Sequence, residues 1–329
     1  MPSISSLTDS APRPVVGIGT CLSGRSVRYN ADSKPAGPGV RQLQRLFDTR
    51  PFCPEMGVGM GVPRPPIHLV GEGGDRVRAL DVASHSHDHT DALAAYADRV
   101  LAQTPELCGY ILVKGSPSCG YHQVKRYNSA GELVATDTRG IFATALAARD
   151  PLLPLEDDER LAEPARLESF AARVYAYHDW RQLCASGLSA AALSGFYSHY
   201  KYLVMAHSMT SYRSLGPMLA AADRQDIDTL GAAFFGKLMR ALGEHATPGT
   251  HANVLYHLAG YLKQRLTADE RQQLANCIDH YRGGLCTLME PVAQLRQHFT
   301  RYPHPYIERQ VYLRLHRGPV AGPGALIDD

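Results

Sequence analysis

One stretch constrains this chain more than any other: Tyr110 to Gly120, YILVKGSPSCG, where an apolar run stops at a glycine, two serines, a proline and a cysteine. Apolar, β-prone residues bounded by Gly115 and Pro117 predict a central parallel strand that delivers Cys119 to the sheet edge. The same grammar occurs twice earlier. PVVGIGT, from Pro14 to Thr20, ends at Cys21 before a turn at Gly24, and PFCPE, from Pro51 to Glu55, sets Cys53 before a proline. Ligands of open parallel sheets bind in the crevice outside the carboxyl ends of the strands, so the three cysteines are expected to converge there.

The surrounding pattern gives the fold class. A short helix is expected from Gly39 to Phe47. A second, from Thr90 to Gln103, leads into the Tyr110 strand as a β-α-β unit. The glycines of MGVGMGVPRPP run into Pro63, Pro65 and Pro66 instead of a helix, which excludes a dinucleotide-binding fingerprint, and they leave Arg64 as a rigidly framed cation near the cysteines. YHQVKRYNSAGELVATDTRG reads as an irregular excursion with a turn at Asn128 to Gly131, followed by a helix from Ile141 to Ala148. The first domain is placed at 1–150. Prolines mixed with acids from Pro151 to Pro164 read as a linker, 151–166.

Beyond it the periodicity is helical throughout: Leu167 to Trp180, Ser189 to His207, Asp226 to Gly243, Thr250 to Leu266 and Ala268 to Tyr281. Thr247 with Pro248 is a start signal, and Thr267 with Glu270 has capping-box spacing. The expectation is an α/β N-terminal domain with a parallel sheet, plus an all-α C-terminal domain over 167–329.

Composition narrows the function. No apolar run reaches the roughly 20 residues a membrane span needs, and the N-terminus lacks an export signal, which places the protein in the cytosol. Seven cysteines, an odd number with no CxxC pair, argue against a disulfide framework. Cys108, Cys184, Cys277 and Cys286 read as small buried hydrophobes. A net charge of +2 does not mark a nucleic-acid binder, so any RNA contact must come from a local patch. Two helical stretches supply candidates. FYSHYKYLVMAHSMTSYRSLG, read as one helix, carries His199, Lys201, His207, Ser208, Tyr212 and Arg213; THANVLYHLAGYLKQRL carries His251, Asn253, His257, Lys263 and Arg265. Asn253, His257 and Gly260 share a face beside an apolar stripe of Val254, Leu258 and Leu262. That face either binds phosphate or is a solvated surface.

The series TCLSGRSVRYN, CPEMGVGMGVPRPP and KGSPSCG, in this order, resembles the thiouracil desulfidase family. The helical half, with KYLVMAHS, YRSLG and HANVLYHLAGYLK, resembles the domain of formerly unknown function fused to that family, and the whole is similar to bacterial tRNA 4-thiouridine desulfidases. The resemblance spans Val15 to about Leu315. It implies that Cys21, Cys53 and Cys119 hold a 4Fe-4S cluster, that Glu55 and Ser116 serve catalysis, and that the substrate is tRNA or a free thiopyrimidine. Asn30 departs from the aspartate common after the tyrosine. Substrate contacts are then assigned to Arg64, Lys201, His207, Arg213, His251, Asn253, His257 and Lys263.

The residue types fit that chemistry. Three thiolates leave one iron of four open, and a soft metal suits a thiocarbonyl sulfur. Glu55 is the candidate general base and Ser116 a proton relay. Competing readings keep Glu55 as a cap, Ser116 as its own turn's partner and Arg64 paired to a linker acid. At the level of the whole site, the three cysteines with His122 would suit a structural zinc in an RNA-binding module, or one cysteine would act alone as a nucleophile.

Overall fold

The computed structural model describes residues 13–72, 76–220 and 226–316. The segment carrying the expectation about export, and the part of the helical domain beyond residue 316, lie largely outside the described residues. The chain divides into two compact units, Met1–His178 and Asp179–Asp329.

The first unit runs β1 (Val15–Gly19), α1 (Pro38–Leu46), β2 (Asp48–Phe52), α2 (Pro54–Gly57), β3 (Ile67–Val70), β4 (Arg78–Asp81), α3 (Thr90–Gln103), β5 (Leu107–Leu112), β6 (Val124–Tyr127), β7 (Leu133–Thr138), α4 (Ile141–Arg149), β8 (Leu155–Asp157) and the start of α5 (Pro164–Ser186). One sheet has the order β2-β1-β5-β8, and all its pairings are parallel. Its two inner strands, β1 and β5, are buried at every position, as the unbroken apolar runs require. Gly17 is needed at their contact, because a Cβ there would lie 2.3 Å from the Tyr110 ring. The chain leaves β1 for β2 on one side and returns to β5 on the other, so the sheet changes direction beside β1. That switch point is where an open α/β sheet has its ligand crevice.

Two expectations for this half are corrected. The excursion after Cys119 is a β6–β7 hairpin turning at Asn128–Gly131, and it joins a second sheet of order β4-β3-β6-β7. The polar residues of these strands hid the period-2 signal, since only Val124 of β6 is fully buried. The presumed linker contains β8, which pairs with β5 through Tyr110–Leu155, Ile111–Glu156 and Leu112–Asp157. All three β8 residues are buried, and the first unit extends to His178 instead of ending near Asp150. Glu156, Asp157 and Asp158 in this segment are buried, whereas Glu159 and Glu163 are exposed.

The second unit contains the end of α5 followed by α6 (Ala190–His207), α7 (Met209–Ala220), α8 (Ile227–Gly243), α9 (Pro248–Gly260), α10 (Ala268–Arg282), α11 (Met289–Arg301), α12 (Pro305–Glu308) and α13 (Val311–Leu315). The capping signals act as read: Thr247 and Thr250 form a capping box with Pro248 in the first turn, and Thr267 and Glu270 form another. The stretch read as one helix through His207 is two, broken at Ser208, whose backbone is extended (φ −148°, ψ 100°). The Ser208 hydroxyl lies 3.2 Å from Ser211 Oγ and also receives the Ser211 N–H. A capping serine thus starts α7, and α6 ends at His207, as the helix read from Ser189 to His207 predicted. Val254, Leu258 and Leu262 are buried, as their stripe predicted. Among the described residues no helix is long and apolar enough to cross a membrane.

Candidate active site

The three strand ends do converge. Cys21 lies in a single 3₁₀ turn after β1, closed by Gly24 in the left-handed region (φ +85°). Cys53 is the residue before α2, and Pro54 takes the first helical position, where the missing N–H costs nothing. Cys119 lies in the loop after β5. All three line one cavity of about 320 Å³ together with Glu55, Arg64, Ser116 and Ser118, and with Arg28, Tyr29 and Lys114.

The loop bearing Cys119 is fixed on both sides. At its start the Lys114 N–H donates to Asp158 Oδ1 at 2.9 Å. At its end the N–H groups of Tyr121 and His122 donate to the two oxygens of Asp157, each at 2.8 Å. The first N–H groups of α4, which has no side-chain cap, are satisfied by the same loop: Ile141 donates to Pro117 O and Phe142 to Ser118 O, at 3.1 and 2.9 Å. Gly140 permits that approach, since a Cβ there would meet Ser118 O at 2.6 Å. Lys34 adds a tie between segments, its N–H donating to Cys21 O at 3.1 Å and its ammonium pairing with Asp158 at 2.8 Å.

Glu55 is held by two short bonds. Arg64 Nε donates to Oε2 at 2.6 Å, and Ser118 Oγ donates to Oε1 at 2.6 Å. Arg64 is only 7% exposed. Its remaining nitrogens donate to the carbonyls of Gly61 and Val27 at 2.8 and 3.0 Å. The side chain expected to meet substrate phosphate is therefore spent on orienting Glu55, and its partner is that carboxylate, not a linker acid. Ser116 Oγ lies 3.0 Å from Ser118 Oγ and accepts the Cys119 N–H at 3.2 Å. A continuous chain Ser116–Ser118–Glu55–Arg64 results. Ser118 went unassigned in the sequence because its neighbour Ser116 carried the family role; its place immediately before Cys119 was the available signal.

Each thiol is pushed above its ordinary range, mainly by burial. For Cys21 the next contribution is the neighbouring Cys53. Cys53 also feels the Glu55 carboxylate. Cys119 is raised furthest, with Cys21, Glu55 and Cys53 adding to the burial and the Ser116 hydrogen bond opposing it. A nucleophilic cysteine needs the reverse, an environment that lowers its pKa. His122 is turned elsewhere, with Nδ1 3.0 Å from Asp157 Oδ2. It offers a ligand atom within 4.8 Å of Glu156 and Asp157, and it does not line the cysteine cavity.

The candidates of the helical unit are dispersed. His207 is buried, with Nδ1 2.6 Å from Glu244 O. His251 is 3% exposed, with Nδ1 3.0 Å from the Tyr312 hydroxyl. These two histidines are core groups, corrected from surface contacts. Asn253 is half-buried, whereas Arg213, His257 and Lys263 are exposed. Lys201 lies over the rings of Tyr202 and Tyr306, 5.6 and 5.9 Å from their centroids. Of the four cysteines read as buried, only Cys108 is; Cys184 is exposed, and Cys277 and Cys286 are half-buried.

Fold and crevice define a two-unit protein in which an α/β unit with a three-thiol pocket precedes a helical unit. The sequence model of the 2-thiouracil desulfurase family matches residues 16–158, and that of a protein family of unknown function, DUF1722, matches residues 201–317. The chain is 32% identical over 108 residues to the uncharacterized protein YbbK of Bacillus subtilis (strain 168), covering 31% of this chain and 71% of that protein. It is 34% identical over 149 residues to the uncharacterized protein YbgA of Escherichia coli (strain K12), covering 45% of this chain and 88% of that one. A solved structure, the 4Fe-4S-dependent thiouracil desulfidase TudS, is similar at 26% identity with a TM-score of 0.37, over 46% of this chain and 94% of its own. The chain belongs to the 2-thiouracil desulfurase family, with a DUF1722 region fused after the desulfurase domain.

Proposed function

We propose that this protein is a tRNA 4-thiouridine desulfidase, which replaces the sulfur of the thiopyrimidine by the oxygen of water and yields uridine and sulfide. The observation that carries this reading is the convergence of Cys21, Cys53 and Cys119 on one cavity with a clamped carboxylate. The donor set fits an iron-sulfur cluster. Three thiols, Cys119 buried and Cys21 and Cys53 half-buried, resist ionising alone and become thiolates when they share a positively charged metal group. Their sulfurs are not gathered within 4.8 Å of one another among the described residues. A single tetrahedral zinc with bonds near 2.3 Å would need its sulfurs about 3.8 Å apart. Cys21, Cys53 and Cys119 would hold the cluster, which when bound supplies a soft Lewis-acidic iron for the thiocarbonyl sulfur.

The remaining work falls to the protein's own groups. Glu55 accepts a proton from the water that attacks C4 of the base. Arg64 and Ser118 each occupy one of its oxygens, which fixes the carboxylate plane and leaves a lone pair on each for the water. Through Ser118, Ser116 offers a path by which a proton reaches or leaves the carboxylate. The reaction exchanges sulfur for oxygen without net electron transfer. Arg28, Tyr29 and Lys114 on the cavity wall suit the sugar and phosphate of a nucleotide.

The test is an anaerobic incubation of the cluster-loaded protein with bulk bacterial tRNA, followed by nucleoside digestion and mass spectrometry. Loss of 4-thiouridine matched by gains of uridine and sulfide, absent for Cys119→Ala, supports the reading. Untouched tRNA with conversion of free 4-thiouracil would restrict the substrate to the base, and inertness toward both would overturn the proposal.

A further inference from the structure

Beside the cysteine crevice lies a second, larger cavity of about 760 Å³. The two share Ile67, Gly115 and Pro117 in their linings, so the loop that leads to Cys119 is also the partition between them. A substrate chain leaving the crevice over Gly115 and Pro117 enters this space. Its walls come from β3, the turn after β4 and the β6–β7 hairpin, the elements of the second sheet.

The lining is unlike that of the crevice, for it contains no carboxylate and no thiol. It presents rings and one cation. His68 packs against His85 with centroids 4.8 Å apart and planes inclined by 43°, and against Tyr127 at 5.4 Å and 32°. The two imidazoles bond each other, Nε2 to Nε2, at 2.8 Å, one neutral ring donating to the other's lone pair. Partial burial, and then His85, hold His68 below the usual imidazole range, which favours its neutral ring. Lys125 supplies the positive charge.

The backbone here is unusual as well. His85 (φ +52°) and Gln123 (φ +56°) both line the cavity, and both lie in the left-handed region that non-glycine residues seldom occupy. Among the described residues, Ala31 is the other non-glycine residue with positive φ. Such conformations persist only where the surroundings hold them in place. A metal is a poor candidate for the pair of histidines, since they are bonded to each other and, among the described residues, belong to no group of three ligands within 4.8 Å.

We propose that this cavity is a second nucleotide subsite, in which the rings of His68, His85 and Tyr127 receive a base neighbouring the thiopyrimidine and Lys125 receives a phosphate of the strand. This rests on the desulfidase reading of the crevice and extends it from one base to a stretch of single-stranded RNA. Stacking of splayed bases on histidine and tyrosine is the common mode of recognising unpaired RNA, and one stacked base contributes about 1–3 kcal/mol.

The test is anaerobic calorimetry on the cluster-loaded full chain carrying Glu55→Gln, which lacks the general base and so does not consume the probes, with 4-thiouridine 5′-monophosphate and a trinucleotide with 4-thiouridine at its centre. The trinucleotide is expected to bind at least about tenfold more tightly, as one stacked base predicts. His68→Ala combined with Tyr127→Ala removes that gain and leaves the mononucleotide affinity within about twofold, while His68→Phe, which keeps a ring, retains it. Lys125→Ala makes the salt dependence of trinucleotide binding shallower by about 0.7 in log–log slope. Equal affinity for the two probes, or a gain that survives the double substitution, overturns the subsite alone. Failure of the mononucleotide to bind overturns the reading of the crevice, and the subsite falls with it.

Discussion

In the α/β unit, Cys21, Cys53 and Cys119 come from three separate strands and line one cavity. In the helical unit, candidates only a few residues apart on one helix are split between core and surface, with His251 buried and His257 exposed. The difference is geometric. All strands of a parallel sheet end at one edge, so residues just past those ends meet whatever their separation in sequence. A helix turns its residues through all directions, and phase alone decides whether a polar group faces solvent or the core. The crevice is therefore an assembled site, whereas the helical unit offers a surface to which single residues contribute separately.

The largest effects should follow from breaking the assembly. Substituting any one of Cys21, Cys53 or Cys119 by alanine is expected to remove the iron-sulfur chromophore and cut desulfidation by a factor of about 10³ or more, since removing the electrostatic partner of a reacting group costs on that order. Iron and sulfide content, read alongside tRNA 4-thiouridine, checks this. If two of the three variants stay brown and active, the shared-ligand reading is wrong. Cys184→Ala and Cys286→Ala, in the dispersed unit, should match the parent in both readouts.

Next comes the carboxylate. Glu55→Gln keeps the shape and removes the base, with a loss of about 10²–10⁴ in kcat expected of a general base. Arg64→Ala acts on stability as well. It leaves Glu55 without its buried partner and two carbonyls without donors, a change that costs about 3–5 kcal/mol. Chemical denaturation should show this loss in Arg64→Ala, and a loss in Glu55→Gln as well, since that change leaves the buried Arg64 charge without its carboxylate. Equal stability in Arg64→Ala and the parent would refute the clamp.

The same contrast explains what the sequence made legible. The strand ends were readable because an apolar run that halts at Gly, Pro or Cys has few interpretations, and α3 is found where its periodicity placed it, Thr90–Gln103. The segment 151–164 misled because the acids Glu156, Asp157 and Asp158 look solvated in a string of prolines. Their burial is repaid by partners distant in sequence: Arg160 for Glu156, the N–H groups of Tyr121 and His122 for Asp157, and Lys34 for Asp158. Arg64 misled for a like reason: its partners Glu55 and Val27 appear only when three loops fold together. In the helical unit the apolar stripe of α9 was legible, but the phase of His251 next to it was not weighed against the need of a buried imidazole for a partner such as Tyr312.

Surface cations should give smaller, separable effects. If the helical unit contacts phosphates, Arg213→Ala and Lys263→Ala each lower tRNA affinity and each flatten the log–log salt dependence by about 0.7–0.9. His251→Ala should leave that slope unchanged and instead lower stability by about 1–3 kcal/mol, the cost of deleting a buried, hydrogen-bonded imidazole. Filter binding at several salt concentrations, together with thermal unfolding, separates the two classes. A slope that does not change in either cation variant would remove this face from the binding surface.

The smallest effects distinguish the units by pH. In the helical unit, burial and then Arg309 hold His199 below the usual histidine range, against the pull of Asp179. A depressed histidine binds its proton more readily once unfolded, so its contribution to stability is present above about pH 6.5 and fades as the pH falls through the lower folded value. His199→Gln should flatten that part of the profile. Near the crevice, hydrogen bonds from Lys114 and then Lys34 hold the Glu159 carboxyl low. Its contribution is present above the unfolded value of about 4.3 and is lost only as the pH falls below it. Glu159 is half exposed, so Glu159→Gln should cost no more than about 1 kcal/mol at pH 7, with the difference from the parent shrinking as the pH falls below about 4.3 and also in high salt. Asp158 still pairs with Lys34 in that variant, and for this reason the crevice should keep its activity. A difference that stays unchanged all the way down the acid limb, until the folded carboxyl is fully protonated, would mean that Glu159 acts through packing instead of charge.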